Sequence, residues 1–488
     1  MRAFLLACLL LAFADPASAE PLDPDQAAGR ALFVAGTGTG GAIVATLGAG
    51  QVAVPAASVP CASCHGRDGR GRPEGGVVPP DITWPILGAS ADRPGRRRAY
   101  DSAAIVRAVT LGIDVEGRPL DPIMPHYRLT LDDAAHLVRY LKTLGIGPEP
   151  GLTQDRLVLG TILPRADAPV GVLLRAYLDR LDAAGGVFGR RIELDVAPAA
   201  ASPTEAARRL LAARPVFALV APGVAHDERA IADCAQEEGV PMVGAETLMP
   251  DAAGASPHYL FFLDGGVPAE ARALALAADR LGHAPVAMIE TADPLAGAAA
   301  VAVFERAGTS VLRRILGPAD TPETLTRDLS AAGIGRILWL APGLDAFAAA
   351  AAKSGYRPTL LAPAEFGAGL LGAGTLPAAL ALRAGPDDRT ADAIADYRAL
   401  AVTYHLPDED RPAQLRALVA IRLLVAALER AGRDVTRESL VTALEATSDF
   451  RTGLMPPLSY GPSRRIGSTG AWILFPGAAP EWLDPARK

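Results

Sequence analysis

The sequence predicts a multidomain chain, an all-α domain followed by a two-lobed α/β domain, and three observations carry that prediction. Capped amphipathic stretches fill the region before residue 147. A turn-rich break, Gly145-Ile146-Gly147-Pro148-Glu149-Pro150-Gly151, follows them. From Asp155 onward, apolar runs of strand length alternate with helical periodicity in two successive series. The chain has 488 residues, half of them apolar and 21% charged, which suits folded domains and excludes a disordered chain. The boundaries predicted are a leader over 1–19, a first domain over 20–147, a linker over 148–154 and the α/β domain over 155–488.

The leader is read from Arg2, the apolar run Phe4–Phe13 and the small residues Ala17-Ser18-Ala19, the pattern of a cleaved secretory signal. The apolar run falls short of the roughly 20 residues a membrane-spanning helix needs. Leu5-Leu6-Ala7-Cys8 has the outline of a lipoprotein box, but apolar residues continue past Cys8, so an exported periplasmic chain without a membrane span is expected. A formal charge of −7 argues against nucleic acid as a partner. Arg96-Arg97-Arg98, beside Pro94-Gly95, reads as a solvated loop.

With Cys8 removed, three cysteines remain. Cys234 falls on an amphipathic helix as a buried apolar residue. The other two lie in Cys61-Ala62-Ser63-Cys64-His65, the C-x-x-C-H sequence of covalent haem attachment. Thiols three positions apart can add to the two vinyl groups of one porphyrin while the adjacent imidazole reaches the iron. A zinc site would need two further ligands, and a redox dithiol would open a helix after a strand; Val59-Pro60 precedes this one.

One haem c, covalently bound, is therefore the expected cofactor, with His65 as one axial ligand. Met124 is the sole methionine between Glu20 and Pro150. It lies in Pro122-Ile123-Met124-Pro125-His126-Tyr127, where prolines suggest a stiff extended segment that would hold the thioether as second ligand. His126 is the competing ligand, and His136, inside a helix, a weaker one.

The surrounding helices follow in order. Gln26–Val34 follows Asp23-Pro24-Asp25. Asp101 or Ser102 caps a helix that runs through Leu111 and stops at Gly112. Thr130 starts a terminal helix with Leu137, Tyr140, Leu141 and Leu144 as its apolar stripe. Between the first helix and the cysteines, residues 35–60 contain a hairpin pattern, Ile43–Leu47 and Gln51–Val54 around Gly48-Ala49-Gly50.

With Gly29-Arg30-Ala31-Leu32-Phe33, Cys61–His65 and Met124-Pro125 before a terminal helix, residues 20–147 resemble a class I cytochrome c. The resemblance implies that a proline carbonyl accepts the haem histidine's Nδ1–H, with Pro79 or Pro80 as the matching residue. The hairpin in 35–60 departs from the family and implies a reshaped haem edge.

In the α/β domain the strands expected are Leu157–Leu163, Ile192–Val196, Val216–Val220, Met242-Val243, Val286–Glu290 and Ile337–Ala341. The helices expected are Val170–Ala184, Pro203–Ala213, His226–Glu238, Pro268–Leu281, Leu295–Ala307 and Leu344–Ser354. Parallel strands joined by helices place a ligand beyond their carboxyl ends, here between the lobes. No phosphate-binding glycine motif follows the first strand. His226, His258, His283 and His405 are scattered and read as surface or helix-end residues.

Tyr177-Leu178-Asp179-Arg180-Leu181-Asp182-Ala183-Ala184-Gly185-Gly186-Val187-Phe188-Gly189-Arg190 makes this part resemble the type I periplasmic solute-binding proteins of the branched-chain amino acid transport group. The resemblance implies that hydroxyls and backbone N–H groups after the third and fourth strands hold a substrate carboxylate. Here those loops are Ala221–Ala225 and Gly244-Ala245-Glu246-Thr247, where only Thr247 offers a hydroxyl and Glu246 repels an anion. The ligand candidates are Arg165, Glu246, Thr247 and Glu365, toward an unidentified small molecule that is not a free α-amino acid.

The function expected is periplasmic electron transfer by an exported monohaem cytochrome whose binding domain docks a dehydrogenase or takes a small ligand. Its redox partner would be a periplasmic quinoprotein dehydrogenase or a terminal oxidase. The alternative is a transport or sensory binding protein with an accessory haem. An enzyme is not expected: a peroxidase would need an open iron site, which Met124 would close.

Overall fold

The computed structural model describes residues 22–48, 52–72, 76–89, 98–147, 149–199, 202–254, 257–280, 285–292, 295–367, 369, 376–385, 388–475 and 478–484. The leader, the hairpin turn at 49–51, Arg96-Arg97, Pro148, His283 and Asp293-Pro294 lie outside the described residues. The chain divides into two compact units, one reaching to Thr153 with residues 436–438, the other comprising 154–435 and 439–488.

In the smaller unit the three longest helices each start at a side chain that accepts one of their free N–H groups. Asp23 and Gln26 form a reciprocal capping box at α1 (Pro24–Ala35), and Gly36 ends it in the left-handed conformation. The attachment sequence forms α2 (Cys61–His65), and Trp84–Leu87 forms α3. Asp101 caps α4 (Ser102–Leu111), and Thr130 caps α5 (Leu131–Leu141).

α1 and α5 cross at Gly29, where an added Cβ would lie 2.0 Å from the His136 carbonyl oxygen. That approach brings the Phe33 and Tyr140 rings to 5.5 Å. Leu32, Phe33, Ile105, Leu137 and Leu141 close the core between the helices.

Residues 35–60 form β1 (Thr37–Gly38) with β2 (Gly41–Ala42), then β3 (Val44–Leu47) with β4 (Val52–Pro55). The structure adds a strand that the sequence pattern does not announce. β5 (His126–Arg128) pairs antiparallel with β3, Ala45 opposite Tyr127, so the segment after Met124 is stitched to the hairpin. Asp133 holds the other side, accepting from the backbone N–H of Thr39 at 2.9 Å.

The larger unit has two α/β lobes. The first contains β6 (Arg156–Leu163), α6 (Pro169–Ala183), β7 (Arg191–Pro198), α7 (Pro203–Ala213), β8 (Ala218–Val220), α8 (Glu228–Glu238), β9 (Met242–Val243) and β10 (Leu260–Asp264). The second runs through α9 (Gly266–Arg280), β11 (Val286–Glu290), α10 (Leu295–Ala307), β12 (Val311–Ile315), α11 (Pro322–Ala331), β13 (Arg336–Leu340), α12 (Leu344–Ser354), β14 (Thr359–Pro363), α13 (Ala364–Gly367) and β15 (Ala378–Leu382). The chain continues through α14 (Ala391–Thr403) and α15 (Arg411–Ala431), which pack on α6. It then adds β16 (Ile466–Ser468) to the first sheet and β17 (Ala471–Leu474) and β18 (Glu481–Leu483) to the second.

The first sheet has the order β16-β10-β9-β8-β6-β7, with all neighbours parallel. The second has β12-β11-β13-β14-β15-β17-β18, and its last two strands are antiparallel additions. Strands β6 and β11, buried on both faces, form the apolar runs visible in the sequence. No described helix is long and apolar enough to cross a membrane.

Gly29→Val is expected to destabilise the smaller unit by about 3 kcal/mol, because the crossing has no room for a branched side chain. Hydrogen–deuterium exchange checks it: α1 and α5 amides should lose protection while β6 and β7 keep theirs. Unchanged protection of α1 and α5 would contradict the close crossing.

Candidate functional site

The chemistry of the smaller unit begins at α2. In a helix, positions three apart share a face, so Cys61 and Cys64 stand together with His65 beside them. Gly66, at φ 73°, ends the helix and turns the chain back. The Gly71 N–H then donates to the His65 carbonyl at 2.8 Å, and the Arg72 N–H to that of Cys64 at 2.8 Å.

This folded-back loop decides between the two prolines. The Pro79 carbonyl lies against Gly71, where an added Cβ would come within 2.1 Å of it. The Pro80 carbonyl faces the ring instead, and His65 Nδ1 lies 3.1 Å from it. Burial drives the imidazole pKa below its ordinary value, against the Pro80 bond, which favours the protonated ring. The ring is thus held neutral with Nδ1 as donor, and Nε2 is left with a lone pair.

Burial likewise pushes the Cys61 thiol up to about 11. Beside it Tyr127, 5% exposed, donates its hydroxyl to the Val59 carbonyl at 2.5 Å. Sequence reasoning passed over Tyr127; its place in a short run after Pro125 gave no sign that β5 would carry it to the residue before Pro60.

Met124 is half-buried against the same apolar core as Cys61. The segment expected to be extended around it turns at residues 122–124 and becomes extended only at β5. Asp121 accepts the Ile123 N–H on its side chain at 3.0 Å and the Met124 N–H on its carbonyl at 3.0 Å. A short acceptor side chain two residues before the turn outweighs the prolines' extended preference. His126 lies over the end of α4, its Nε2 2.0 Å from where a Gly112 Cβ would stand. His136 Nε2 faces Asp25 at 3.6 Å.

Two neighbouring thiols, a neutral imidazole with a free lone pair and a core-facing thioether form a donor set that fits a covalently bound haem. No Lys, Arg or further thiol competes within α2.

In the larger unit the four ligand candidates separate. Arg165 is exposed and paired with Asp167 at 3.0 Å, away from the two cleft cavities described below. Glu246 is bound by Arg416 at 2.6 Å. Glu365 pairs with Arg383 and lines a cavity of about 380 Å³ between the lobes. Thr247 donates to Glu228, accepts from the Met249 N–H at 2.9 Å and lines a second cavity of about 490 Å³.

The first cavity is built on a buried charge network. Arg383, from the second lobe, lies 3.4 Å from Asp264 at the end of β10, and Arg416, from α15, lies 3.6 Å from the same carboxylate. Burial opposes ionisation of Asp264, but the two guanidiniums outweigh it and hold its pKa low. Burial raises Glu246 despite Arg416. Glu270, on α9, is raised furthest, to about 8, by burial that Arg383 only partly offsets.

In the second cavity, Glu228 and Glu290 line the walls with His226 and Thr247, without a Lys or Arg. Glu290 is 1% exposed and accepts from Arg313 at 2.8 Å. Arg383, Arg416 and Glu270 escaped sequence reasoning, although a visible signal existed. Each is a charged residue within an apolar stretch, Glu270 in Ala269–Ala278 and Arg416 in Leu415–Val425.

Comparison with known proteins follows this division. The family model described as periplasmic binding protein matches residues 171–474, and that described as cytochrome c matches residues 49–145. No curated protein matches the chain. A fatty acid ABC transporter substrate-binding protein from Thermomonospora curvata has a similar structure, with TM-score 0.54 and 18% identity over 70% of this chain and 94% of its own. A branched-chain amino acid ABC transporter protein from Thermus thermophilus, solved with bound valine, gives TM-score 0.55 and 14% identity over 69% and 98%. A putative branched-chain amino acid ABC transporter protein from Rhodospirillum rubrum gives 0.53 and 22% over 66% and 97%. At such identities the likeness shows the fold.

Arg416→Met is expected to lower the unfolding free energy of the larger unit by about 3 kcal/mol, since it takes from Glu246 its ion-pair partner and from buried Asp264 one of its two guanidiniums. Arg165→Met, which breaks an exposed pair, should change it by less than about 1 kcal/mol. Urea unfolding of both variants checks the contrast, and equal effects would contradict the assigned burial.

Proposed function

We propose, from the premise that this chain belongs to the periplasmic binding protein family and carries a cytochrome c domain ahead of the binding domain, that it is an exported electron carrier whose binding domain receives a partner or small ligand. The observation that carries the reading is the tethered His65 ring beside two thiols on one helix. In this reading Cys61 and Cys64 would hold one haem c covalently, and His65 and Met124 would be the residues that bind its iron. The bound haem supplies a one-electron couple whose potential a thioether ligand raises.

The rest is done by the chain's own residues. Pro80 fixes which imidazole nitrogen is free, and Asp121 shapes the turn that presents the Met124 sulfur. Leu32, Phe33, Leu137 and Leu141 keep water from the site, and β3 braces the segment just after Met124. The redox partner in this reading is a periplasmic dehydrogenase, with a quinoprotein as first choice, or a terminal oxidase. The test is to purify the haem-loaded protein and screen dehydrogenases for haem reduction, with and without their substrates. Reduction that depends on one dehydrogenase and its substrate supports the reading. Reduction by none, with small-molecule uptake lost on deletion of the gene, favours transport.

For the axial pair, oxidised protein should show the weak long-wavelength absorption of a sulfur–iron bond. Met124→Ala should abolish that band and lower the potential; the same loss in His126→Ala instead would reassign the ligand.

The cleft is proposed not to hold a free α-amino acid. A buried carboxylate without donors loses several kcal/mol, while micromolar binding is worth only about 8 kcal/mol. Two observations support this: at the first cavity Glu365, Asp264 and Glu246 already engage Arg383 and Arg416, and the second has no Lys or Arg among the described residues that line it. Calorimetry with leucine, isoleucine and valine should show no binding tighter than about 10 μM. Tighter saturable binding would refute it.

A further inference from the structure

Glu270 occupies an uncommon position for an acid. It is 1% exposed, it lines the first cleft cavity, and neither carboxyl oxygen has a hydrogen-bond donor. Its nearest ion-pair contact, Arg383 Nε, stands 3.9 Å away. Native interiors rarely leave such a group unsatisfied, because desolvation without a partner is costly.

The charges around it do not cancel. Asp264, Glu270 and Glu365 line the cavity with Arg383, Arg389 and Arg416, and Glu246, outside the lining, pairs with Arg416, which makes four carboxyl groups against three guanidiniums. The set is neutral only while one carboxyl keeps a proton, and a bound cation can take that proton's place. The remaining wall is apolar, with Leu415, Val419, Leu454 and Met455 enclosing much of the 380 Å³. Among the described residues no three acids or imidazoles converge as metal ligands do. An unsatisfied buried carboxyl whose proton a cation can replace, set beside an apolar wall, specifies an occupant.

We propose that this cavity binds a small organic monocation, a primary alkyl- or arylammonium, with its N–H groups donated to Glu270 and its hydrocarbon against Leu415, Val419 and Met455. The inference rests on reading the larger unit as a ligand-binding domain and makes no use of the haem. Without ligand, Glu270 titrates at about 8, so near pH 7 it mostly carries a proton. Asp264, Glu246 and Glu365 favour that proton, and Arg383, Arg389 and Arg416 oppose it. An entering ammonium takes the place of the Glu270 proton, which leaves to solvent. Binding and proton release are thereby linked.

Calorimetry of the haem-loaded full chain tests this with benzylammonium and n-butylammonium chloride, and with benzyl alcohol and benzoate as neutral and anionic matches. At least one amine should bind, tenfold or more above both matches. At pH 7, two buffers of different ionisation enthalpy should reveal release of close to one proton. Affinity should rise about tenfold from pH 6 to pH 7, where Glu270 must be deprotonated against its own equilibrium.

Glu270→Gln, which imitates the protonated side chain, should cost at least tenfold in affinity and abolish proton release while keeping the wild-type melting temperature. If that variant fails to fold, the wild-type pH slope and proton count still decide. Absence of binding by both amines at millimolar concentration, equal binding of benzyl alcohol, pH-independent affinity, or unchanged binding by the variant would overturn the proposal. None of these results bears on haem reduction by a dehydrogenase, so the two readings fail separately.

Discussion

One hydrogen bond organises the smaller unit, that between His65 Nδ1–H and the Pro80 carbonyl at 3.1 Å. An imidazole can present either nitrogen, and a buried ring without a fixed partner would present both. The Pro80 carbonyl selects the tautomer, and the loop from Gly66 to Ile82 exists in a form that delivers it. That loop is pinned at both ends, by Gly71 on the His65 carbonyl and by the Ile82 N–H on the Gly69 carbonyl at 2.7 Å. α2 packs against α1, which crosses α5 at Gly29. A one-electron centre gains from such rigidity, because ligands that do not move keep the reorganisation small.

The larger unit works by an opposite device. Its cleft is held by charges contributed from separated elements, with Arg383 of the second lobe reaching Asp264 of the first. Such pairs are weak sources of net stability, since desolvation offsets most of the attraction. Their value lies in geometry, for they join the lobes at defined atoms beside a cavity and leave Glu270 unsatisfied within it. In the proposed function the donor site and the charge-lined cleft are the two parts of a chain that passes electrons and answers to a partner or ligand.

How far the sequence disclosed this depends on the range of each interaction. Cys61, Cys64 and His65 lie within five positions, so their chemistry is legible at once. The caps at Asp23, Asp101 and Thr130 are equally local and appear where the residues place them. The turn at Met124 could have been read from Asp121, but the flanking prolines concealed it. Pairing of β5 with β3 joins residues some eighty positions apart and leaves no periodic trace in a three-residue strand.

The cleft is the extreme case. Glu246 and Thr247, adjacent in sequence, enter different environments, and the partners of Glu246 and Glu365 come from α15 and the end of β15. Arg165 follows a strand as a ligand-binding residue would, yet the structure pairs it with Asp167 at the surface. The strands β10, β12 and β14 to β18 escaped the reading; β12, β16 and β18 are short, charged or at a sheet edge, whereas β10, β14 and β15 are buried apolar runs of the kind it recognised elsewhere.

The central claim is that the α2 thiols carry one covalent haem whose iron His65 meets. Intact-mass and peptide mass spectrometry of the exported protein, after denaturation, tests it most directly. The account predicts a mass increment of one haem that survives denaturation and maps to the peptide containing Cys61 and Cys64. An unmodified mass, or a disulfide joining those two cysteines in protein from a host competent for haem attachment, would contradict it.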